Sequence, residues 1–308
     1  MIGTITLNPA VDRRYNIDIL EKNTVKRTED YMASAGGKGL NVSRVARILG
    51  EDVTGFGFLG GNTGDFIRNE ISKLGINDSF TSINGTTRTC LNIIDDNNDN
   101  IEILEKGPVI SKEDKNKFLK ELELQLEKLD IIAISGSLPK GVDINIYSDI
   151  IKIAKKYNKK VILDTSGDAF LENLKSNPFL VKPNKEELEN ITGIRLDCEE
   201  AIKMAAHKIL RKGAENILVS LGSNGMYFFG EEGNFKVDIP KIKIKNTVGS
   251  GDSSVAGFAY SFSKGLDIQD ILKYANACGM SNAMEKGTGS IDIEKVNELR
   301  KKIKVRKI

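Results

Sequence analysis

Short runs of consecutive apolar residues alternate with amphipathic helical patterns along most of the chain, and no other feature restricts the fold as much. The runs LDIIAISG (129–136), KVILDTSG (160–167) and NILVSLG (216–222) are apolar at consecutive rather than alternate positions. Strands of this kind are buried on both faces, as in parallel sheets that helices cover. The pattern therefore predicts an α/β fold with a mostly parallel sheet between two layers of helices.

The helical patterns lie between these runs. Apolar residues at helical spacing predict helices at 39–50, 63–75 and 144–158. Thr63 stands at the start of the second helix, and we expect it to be the N-cap because threonine is common there.

Two stretches, 11–34 and about 80–105, interrupt this alternation. They contain short extended patterns such as RRYNIDIL and TRTCLNIID, with the turn DDNNDN near the end. We predict that they form a small separate β-sheet, a lid beside the main body. Since no repeat or long linker is present, residues 1–308 are expected to form one domain.

The composition excludes several classes of function. The formal charge is only +2, from 45 basic and 43 acidic residues, so a nucleic-acid partner is not expected. Three widely spaced cysteines give neither a disulfide framework nor a zinc site, which indicates the cytoplasm. No apolar run approaches the roughly 18 residues of a membrane span, so no membrane partner is expected either.

The chain has a single histidine, His207. It lies in EEAIKMAAHKIL, an amphipathic helical pattern whose buried face carries Ile202, Ala206 and Ile209. A catalytic histidine pair or a histidine-rich metal site is therefore not expected. Acid–base chemistry must fall to Asp, Glu, Lys or Tyr.

Five glycine-rich segments follow or flank the predicted strands: SAGGKGLN, FLGGNTG, ISGSLPKG, SLGSNG and NTVGSGD. Ligands of open parallel sheets bind at the carboxyl ends of the strands, so together these turns predict a groove for a phosphorylated ligand. A P-loop is excluded because Met32 stands where its first glycine should be. The dinucleotide fingerprint fails at Ser254, and the nucleophile elbow GxSxG is absent.

NTVGSGDSSVAGF (246–258) and AGGKGLNVSRV (35–45), with SGSLPKG and KPNKEELE between them, resemble the paired signatures of the ribokinase-like (PfkB) sugar kinase family. The resemblance runs from TLNPAVD to NACGMSNAMEKGTG, nearly the whole chain. It is greatest to the phosphosugar branch, which includes tagatose-6-phosphate kinase and 1-phosphofructokinase. The family resemblance implies a three-layer α/β/α domain with a mostly parallel sheet and a small β-sheet lid.

Asp252 is the residue on which the implied chemistry depends. Phosphoryl transfer from ATP needs a carboxylate near the acceptor hydroxyl and N–H groups around the phosphoryl group. The resemblance implies that Asp252 is the catalytic base and that Gly249, Ser250 and Gly251 form the anion hole. The alternative is that Asp252 only caps its helix.

The resemblance also implies a phosphosugar site under the lid. Asp12, Gly36, Gly37 and Asn41 would bind sugar hydroxyls. Arg27, Arg88 and Ser137 would bind the phosphate that the sugar already carries, and Lys38, in the same turn as Gly37, is a further substrate-binding residue. Solvated charges on the lid are the alternative for the arginines and Lys38.

The nucleotide is expected in the other half of the groove. By resemblance, the residues that bind ATP are Lys182, Asn184, Glu187, Ser220, Gly222, Gly225, Thr247 and Asn276. Glu187 would hold Mg²⁺ through water. The alternative for Asn184 is an ordinary helix N-cap after Pro183.

The implied reaction is ATP-dependent phosphorylation of a ketohexose phosphate, with tagatose 6-phosphate giving tagatose 1,6-bisphosphate. Fructose 1-phosphate as the substrate, an unphosphorylated sugar, and a noncatalytic nucleotide- or sugar-phosphate-binding regulator remain alternatives. In relatives the lids pair between subunits, so a homodimer is expected, with Arg27 reaching the neighbouring site.

Overall fold

The computed structural model describes residues 1–97 and 99–308. The strands are β1 (Ile2–Thr6), β2 (Ala10–Ile17), β3 (Tyr31–Gly36), β4 (Val53–Leu59), β5 (Asn77–Ser82), β6 (Arg88–Asp95), β7 (Asn100–Leu104), β8 (Ile131–Ser135), β9 (Lys160–Asp164), β10 (Leu180–Val181), β11 (Asn216–Ser220), β12 (Met226–Gly230), β13 (Gly233–Asp238) and β14 (Lys304–Lys307). The helices are α1 (Lys38–Ile48), α2 (Gly61–Lys73), α3 (Lys112–Gln125), α4 (Ile146–Lys156), α5 (Gly167–Asn173), α6 (Lys185–Thr192), α7 (Glu199–Leu210), α8 (Ser250–Ser263), α9 (Ile268–Ala283) and α10 (Ile293–Lys302).

Ten strands form a large sheet in the order β14-β13-β12-β11-β10-β9-β8-β1-β4-β5. The seven strands from β11 to β5 are mutually parallel, and β12 to β14 add to one edge in antiparallel pairs. Successive strand residues such as Ile131 and Ile132 enter two different apolar cores, one on each face. The predicted mostly parallel sheet, covered on both faces, is confirmed.

Four strands form the small sheet in the order β3-β2-β6-β7. Strands β2 and β6 are parallel, and the two outer pairs are antiparallel. The expected separate sheet is therefore present, but its second segment begins later than expected. Residues 80–82 belong to β5, at the edge of the large sheet.

The prediction that Thr63 caps its helix is wrong. Helix α2 begins at Gly61, with Gly60 as its N-cap. A Cβ at Gly60 would lie 2.0 Å from Gly85 O, so a close approach of the chain requires glycine there. The Thr63 hydroxyl instead donates to Thr87 O at 2.7 Å.

His207 lies on α7, where its Nδ1 is 2.7 Å from Lys203 O. Its ring packs near Phe229, with 6.0 Å between ring centroids, outside the ligand cleft described below. In the described part of the chain, none of the helices has the length and apolar character needed to cross a membrane.

Candidate functional site

A cleft of about 2230 Å³ lies between the carboxyl ends of the central parallel strands and the small sheet. Its lining includes most of the residues that the sequence singled out: Asp12, Gly37, Lys38, Asn41, Arg88, Ser137, Lys182, Asn184, Glu187, Ser220, Gly222, Gly225, Thr247, Gly249, Ser250, Gly251, Asp252 and Asn276. Gly36 and Arg27 are not among the lining residues. The topology brings these residues together because parallel strands end at one edge of the sheet.

Asp252 lies in the first turn of α8 and is only 6% exposed. Its Oδ2 accepts a hydrogen bond of 2.8 Å from Asn41 Nδ2, on α1. Gly249, not Asp252, is the N-cap of α8, and no side chain among the described residues caps it. The carboxylate is therefore directed toward the cleft rather than toward the amides of its own helix.

Burial, and to a smaller extent the neighbouring Asp164 carboxylate, raise the pKa of Asp252, which lies at about 6. The hydrogen bond from Asn41 and the positive charges of Lys38 and Lys182 act in the opposite direction. A carboxylate with this pKa is ionised at neutral pH and is a stronger base than an exposed aspartate.

The backbone before Asp252 adopts a conformation that glycine allows. Gly249 has a φ of 81°, and a Cβ there would lie 2.8 Å from Thr288 Cγ2 and 2.9 Å from Gly289 N. A Cβ on Gly251 would lie 3.2 Å from Lys182 Nζ. Ser250 N donates to Thr247 O at 3.2 Å, but the amides of Gly249 and Gly251 have no acceptor among the described residues, so they can bind an anion in front of Asp252.

Asp12 and Gly36 are in direct contact. A Cβ on Gly36 would lie 2.0 Å from Asp12 Oδ2, so Gly36 makes room for the carboxylate instead of lining the cleft. Burial raises the pKa of Asp12, while the charges of Arg88 and Arg44 lower it.

Backbone carbonyls hold the Arg88 guanidinium at the start of β6. Nε and Nη2 donate to Asn8 O at 3.2 and 3.0 Å, and Nη1 donates to Glu105 O at 3.1 Å. Ser137 lines the same region, where Asn8 Nδ2 is 3.5 Å from its Oγ. Together they offer a fixed cation and a hydroxyl to an anionic group.

Lys38, at the first position of α1, is exposed to the cleft. The Asp164 carboxylate raises the pKa of this amine, burial lowers it, and Asp252 and Glu187 add smaller increases. Lys38 therefore faces the carboxylates at the centre of the cleft.

Arg27 lies apart from the cleft of its own chain. It is exposed in the segment between β2 and β3, beside a separate shallow pocket that Asn16, Asp18 and Lys26 also line. Within one subunit, Arg27 is therefore not brought together with the other predicted residues.

Asn184 and Glu187 form a capping box at the start of α6. Asn184 Oδ1 accepts from Glu187 N at 2.8 Å, and Glu187 Oε2 accepts from Asn184 N at 2.9 Å. The N-cap alternative for Asn184 is thus realised, although both residues also line the cleft. Oε2 of Glu187 is engaged in the cap, which leaves Oε1 for other contacts.

The remaining residues predicted to bind the nucleotide lie at or just after the end of β11, on α9 and in the loop before α8. A Cβ on Gly225 would lie 2.0 Å from Val237 O, so this turn also requires glycine. Asn276 is buried on α9, where its Nδ2 donates to Leu272 O at 2.9 Å. Thr247 is exposed in the loop that leads to Gly249.

Asp164, at the end of β9, is a site residue that the sequence reasoning missed. It is 3% exposed, and Lys182 Nζ lies 3.5 Å from its Oδ1. Its Oδ2 has no hydrogen-bond partner among the described residues. An aspartate directly after the apolar run KVIL, at the ligand-binding edge, was the signal that could have found it.

Three more buried side-chain oxygens at this edge lack a partner within the described residues. They are Thr6 Oγ1 at the end of β1, Asn8 Oδ1 just beyond that strand and Ser135 Oγ at the end of β8. All three residues line the cleft. Buried polar atoms are normally hydrogen-bonded, so these are ready to accept or donate to a ligand or water.

Comparison with known proteins gives consistent results. Residues 2–295 match the family model described as pfkB family carbohydrate kinase. The chain is 42% identical to tagatose-6-phosphate kinase of Staphylococcus epidermidis over 309 residues, which cover 99% of each chain.

Solved structures share the fold. Phosphofructokinase-2 from Escherichia coli, in complex with potassium, is 25% identical with a TM-score of 0.89, and 97% of this chain and 98% of that chain are covered. Arabidopsis thaliana ribokinase, complexed with ribose and ATP, has a TM-score of 0.80 at 23% identity, with 97% and 98% covered. The expected ribokinase-like α/β fold is confirmed.

Proposed function

The chain belongs to the pfkB family of carbohydrate kinases and is an ATP-dependent sugar-phosphate kinase, and we propose that it phosphorylates tagatose 6-phosphate at C1. The product would be tagatose 1,6-bisphosphate. The observation that carries the proposal is the 42% identity to a tagatose-6-phosphate kinase across 99% of both chains. The buried carboxylate at the first turn of α8 supports it chemically.

In the proposed mechanism, Asp252 accepts the proton of the C1 hydroxyl as its oxygen attacks the γ-phosphorus of ATP, and ADP leaves. Its pKa of about 6 suits a base at neutral pH. The N–H groups of Gly249 and Gly251 would face the charge that develops on the transferred phosphoryl group, and that of Ser250 would join them on leaving Thr247 O. Lys38 adds a positive charge on the same side of the cleft.

The 6-phosphate is assigned to the end of the cleft where Arg88 and Ser137 lie. Backbone carbonyl groups already fix the Arg88 guanidinium. The side chain would therefore lose little conformational entropy when the phosphate binds. Asp12 and Asn41 are assigned to the sugar hydroxyls, since carboxylate and amide groups accept and donate hydrogen bonds there.

The nucleotide half of the cleft is assigned to Lys182, Ser220, Gly222, Gly225, Thr247 and Asn276. Lys182 lies beside the first turn of α8, so its charge would stabilise the phosphates of ATP. The turn after β11 allows the backbone to approach the nucleotide.

We also propose Mg²⁺ as the cofactor. The buried Oδ2 of Asp164, without a partner in the described chain, fits a hydrated cation, as does the free oxygen of Glu187. Among the described residues there is no cluster of three or more metal-ligating side chains. This agrees with Mg²⁺, which keeps several waters and binds through few carboxylates plus phosphates. When bound, the ion would neutralise charge on the β- and γ-phosphates.

A homodimer formed through the small sheets is a further part of the proposal. The outer face of the small sheet, opposite Asp12, carries Tyr15, Tyr31, Ile93, Ile101 and Ile103. Tyr31 is 61% exposed, and Ile101 and Ile103 are 48% and 49% exposed. A second copy would cover this apolar face. The segment with Arg27 would then reach the sugar site of the partner subunit. We further propose that the protein acts in the cytoplasm, where ATP is supplied.

Mixing two inactive variants tests the role of Arg27. Arg27→Ala subunits keep Asp252, and Asp252→Asn subunits keep Arg27. If Arg27 acts across the interface, mixed dimers regain activity that neither variant has alone. If activity does not return although an affinity tag on one variant co-purifies the untagged other variant, Arg27 does not act in the neighbouring site.

Steady-state kinetics with coupled ADP detection tests the main proposal. We expect the highest kcat/KM on tagatose 6-phosphate, with fructose 6-phosphate and fructose 1-phosphate lower. A preference for fructose 1-phosphate would favour a 1-phosphofructokinase instead. Binding of ATP and sugar phosphate without any turnover would favour the noncatalytic regulator and refute the proposal.

A further inference from the structure

The Asn41 amide that donates to Asp252 also contacts a third side chain, Arg44, one turn further along α1. Arg44 Nη1 donates to Asn41 Oδ1 at 3.1 Å and to Thr288 O at 3.0 Å. Its Nη2 donates to Ala35 O at 2.6 Å. The half-buried guanidinium therefore joins the end of β3, the amide beside the catalytic carboxylate and the loop before α10.

These contacts decide which way the Asn41 amide points. A guanidinium has only donors, so the group that faces it must be the amide oxygen. With Oδ1 on Arg44, Nδ2 is directed at Asp252, where it donates at 2.8 Å. Without Arg44, only the acceptor oxygens of Asp252 would oppose a turn of Oδ1 toward the carboxylate, and that opposition ends when Asp252 binds a proton.

We propose that Arg44 is a positioning residue, which orients the Asn41 amide so that Asp252 accepts a hydrogen bond and stays available as the base. The inference rests on the proposed function, because it assigns Asp252 to proton removal. If the amide were reversed, two oxygens would face each other. Asp252 could relieve this only by binding a proton and donating it to Asn41, and it could then no longer act as a base.

The surroundings of Asp252 make this bond important. Among the described residues, the bond from Asn41 and the charges of Lys38 on α1 and Lys182 after β10 lower the pKa of Asp252, whereas burial and Asp164 on β9 raise it. Loss of the donated bond would therefore raise the pKa of Asp252. The charged groups that face Arg44 itself are Asp12 on β2 and Glu70 on α2.

Arg44 also supports the loop behind the anion hole. A Cβ on Gly289, whose φ is 61°, would lie 2.9 Å from Arg44 Nη1 and 3.0 Å from Asn41 Cβ. On the other side, a Cβ on Gly249 would lie 2.9 Å from Gly289 N. The loop is packed between the guanidinium and the backbone of the proposed phosphoryl site, so loss of Arg44 should lower kcat more than it raises KM for ATP.

The test compares Arg44→Met and Arg44→Lys with the matched control Arg47→Met. Arg47 lies on the same helix but outside the cleft, where it donates to Glu51 O at 2.7 Å and pairs with Asp52 at 3.0 Å. The measurement is kcat/KM for tagatose 6-phosphate between pH 5 and 9. Since loss of one hydrogen bond to a carboxylate shifts its pKa by about 1 unit, the acid limb of Arg44→Met should move up by about that amount.

The expected loss for Arg44→Met is about fivefold at pH 6, approaches about tenfold at pH 5, and nearly vanishes above pH 8. Arg44→Lys, which keeps a donor, should recover part of the shift, and Arg47→Met should leave the acid limb in place. A uniform loss at all pH values would overturn the inference. So would a failure of both Arg44 variants to fold, which would assign Arg44 a purely structural role.

A second measurement separates this inference from the proposed function. Asp252→Asn is expected to raise the melting temperature at pH 7.5, and the gain should be larger in the Arg44→Met background, where the buried carboxyl is harder to ionise. Equal gains in both backgrounds would overturn the role of Arg44. Absence of turnover by the unmodified protein would refute only the proposed function, because the melting comparison needs no substrate.

Discussion

Replacing Asp252 by asparagine should stabilise the protein at neutral pH. The pKa of Asp252 is raised from 3.8 to about 6, chiefly by burial. At about 1.4 kcal/mol per pKa unit, ionising this group in the folded chain costs about 3 kcal/mol relative to the unfolded chain. Asparagine cannot ionise, and its Oδ1 can still accept the hydrogen bond from Asn41.

The sign follows from the direction of the shift. Below pH 3.8 the carboxyl is neutral in both states and costs nothing. As pH rises through about 6, the unfolded chain has already ionised, so the native protein loses stability that the variant keeps. The gain of the variant is about 3 kcal/mol at pH 7.5 and about half of that at pH 5.0.

Thermal unfolding checks this estimate. For a chain of 308 residues, 3 kcal/mol corresponds to about 5 °C in melting temperature. Asp197→Asn is the matched control, since Asp197 is exposed, and it should change the melting temperature by less than about 1 °C. The reasoning is refuted if Asp252→Asn melts at or below the wild-type temperature at pH 7.5, or if its gain is the same at pH 5.0.

Three further predictions concern activity. With Asp252 as the base, kcat/KM should fall as pH drops through about 6 and level off above it; a flat profile between pH 5 and 8 would contradict this. Arg88→Lys loses the planar donor fork, so KM for the sugar phosphate should rise about 10- to 100-fold with KM for ATP unchanged; equal changes in both would place Arg88 elsewhere. Gly249→Ala would bring a Cβ within 2.8 Å of Thr288 Cγ2, so kcat should fall about 100-fold while a folded protein remains by circular dichroism; an unchanged kcat would exclude this anion hole.

The sequence predicted the main architecture because its signal is local. Ile131 and Ile132 are consecutive apolar residues, and a strand buried on both faces is the simplest reason for such a run. The same logic placed the glycine turns at one edge, and their convergence in one cleft follows from parallel strands. The role of Asp252 was inferred from the family resemblance. Its buried hydrogen bond with Asn41 joins residues 211 positions apart, so no local pattern predicts it.

Features that depend on tertiary contacts were not predictable from the sequence. Thr63 is a reasonable N-cap by residue type, but the N-cap of α2 is Gly60. The backbone at Gly85 lies so close to this position that a side chain there would clash, and the sequence gives no sign of that contact. In the sequence, Asp164 is simply a residue at the end of a strand. Its ion-pair partner Lys182 lies beside it because β9 and β10 pair, which the sequence does not show. The location of Arg27 outside its own cleft likewise depends on the path of an exposed segment.

The turnover of Asp252→Asn on tagatose 6-phosphate and ATP, measured beside calorimetric binding of both ligands, tests the catalytic assignment most directly. We expect both dissociation constants to stay within about threefold of the wild-type values, while kcat falls by about 100-fold or more. A variant that binds both ligands and turns over at a rate close to that of the wild type would contradict the assignment of Asp252 as the base.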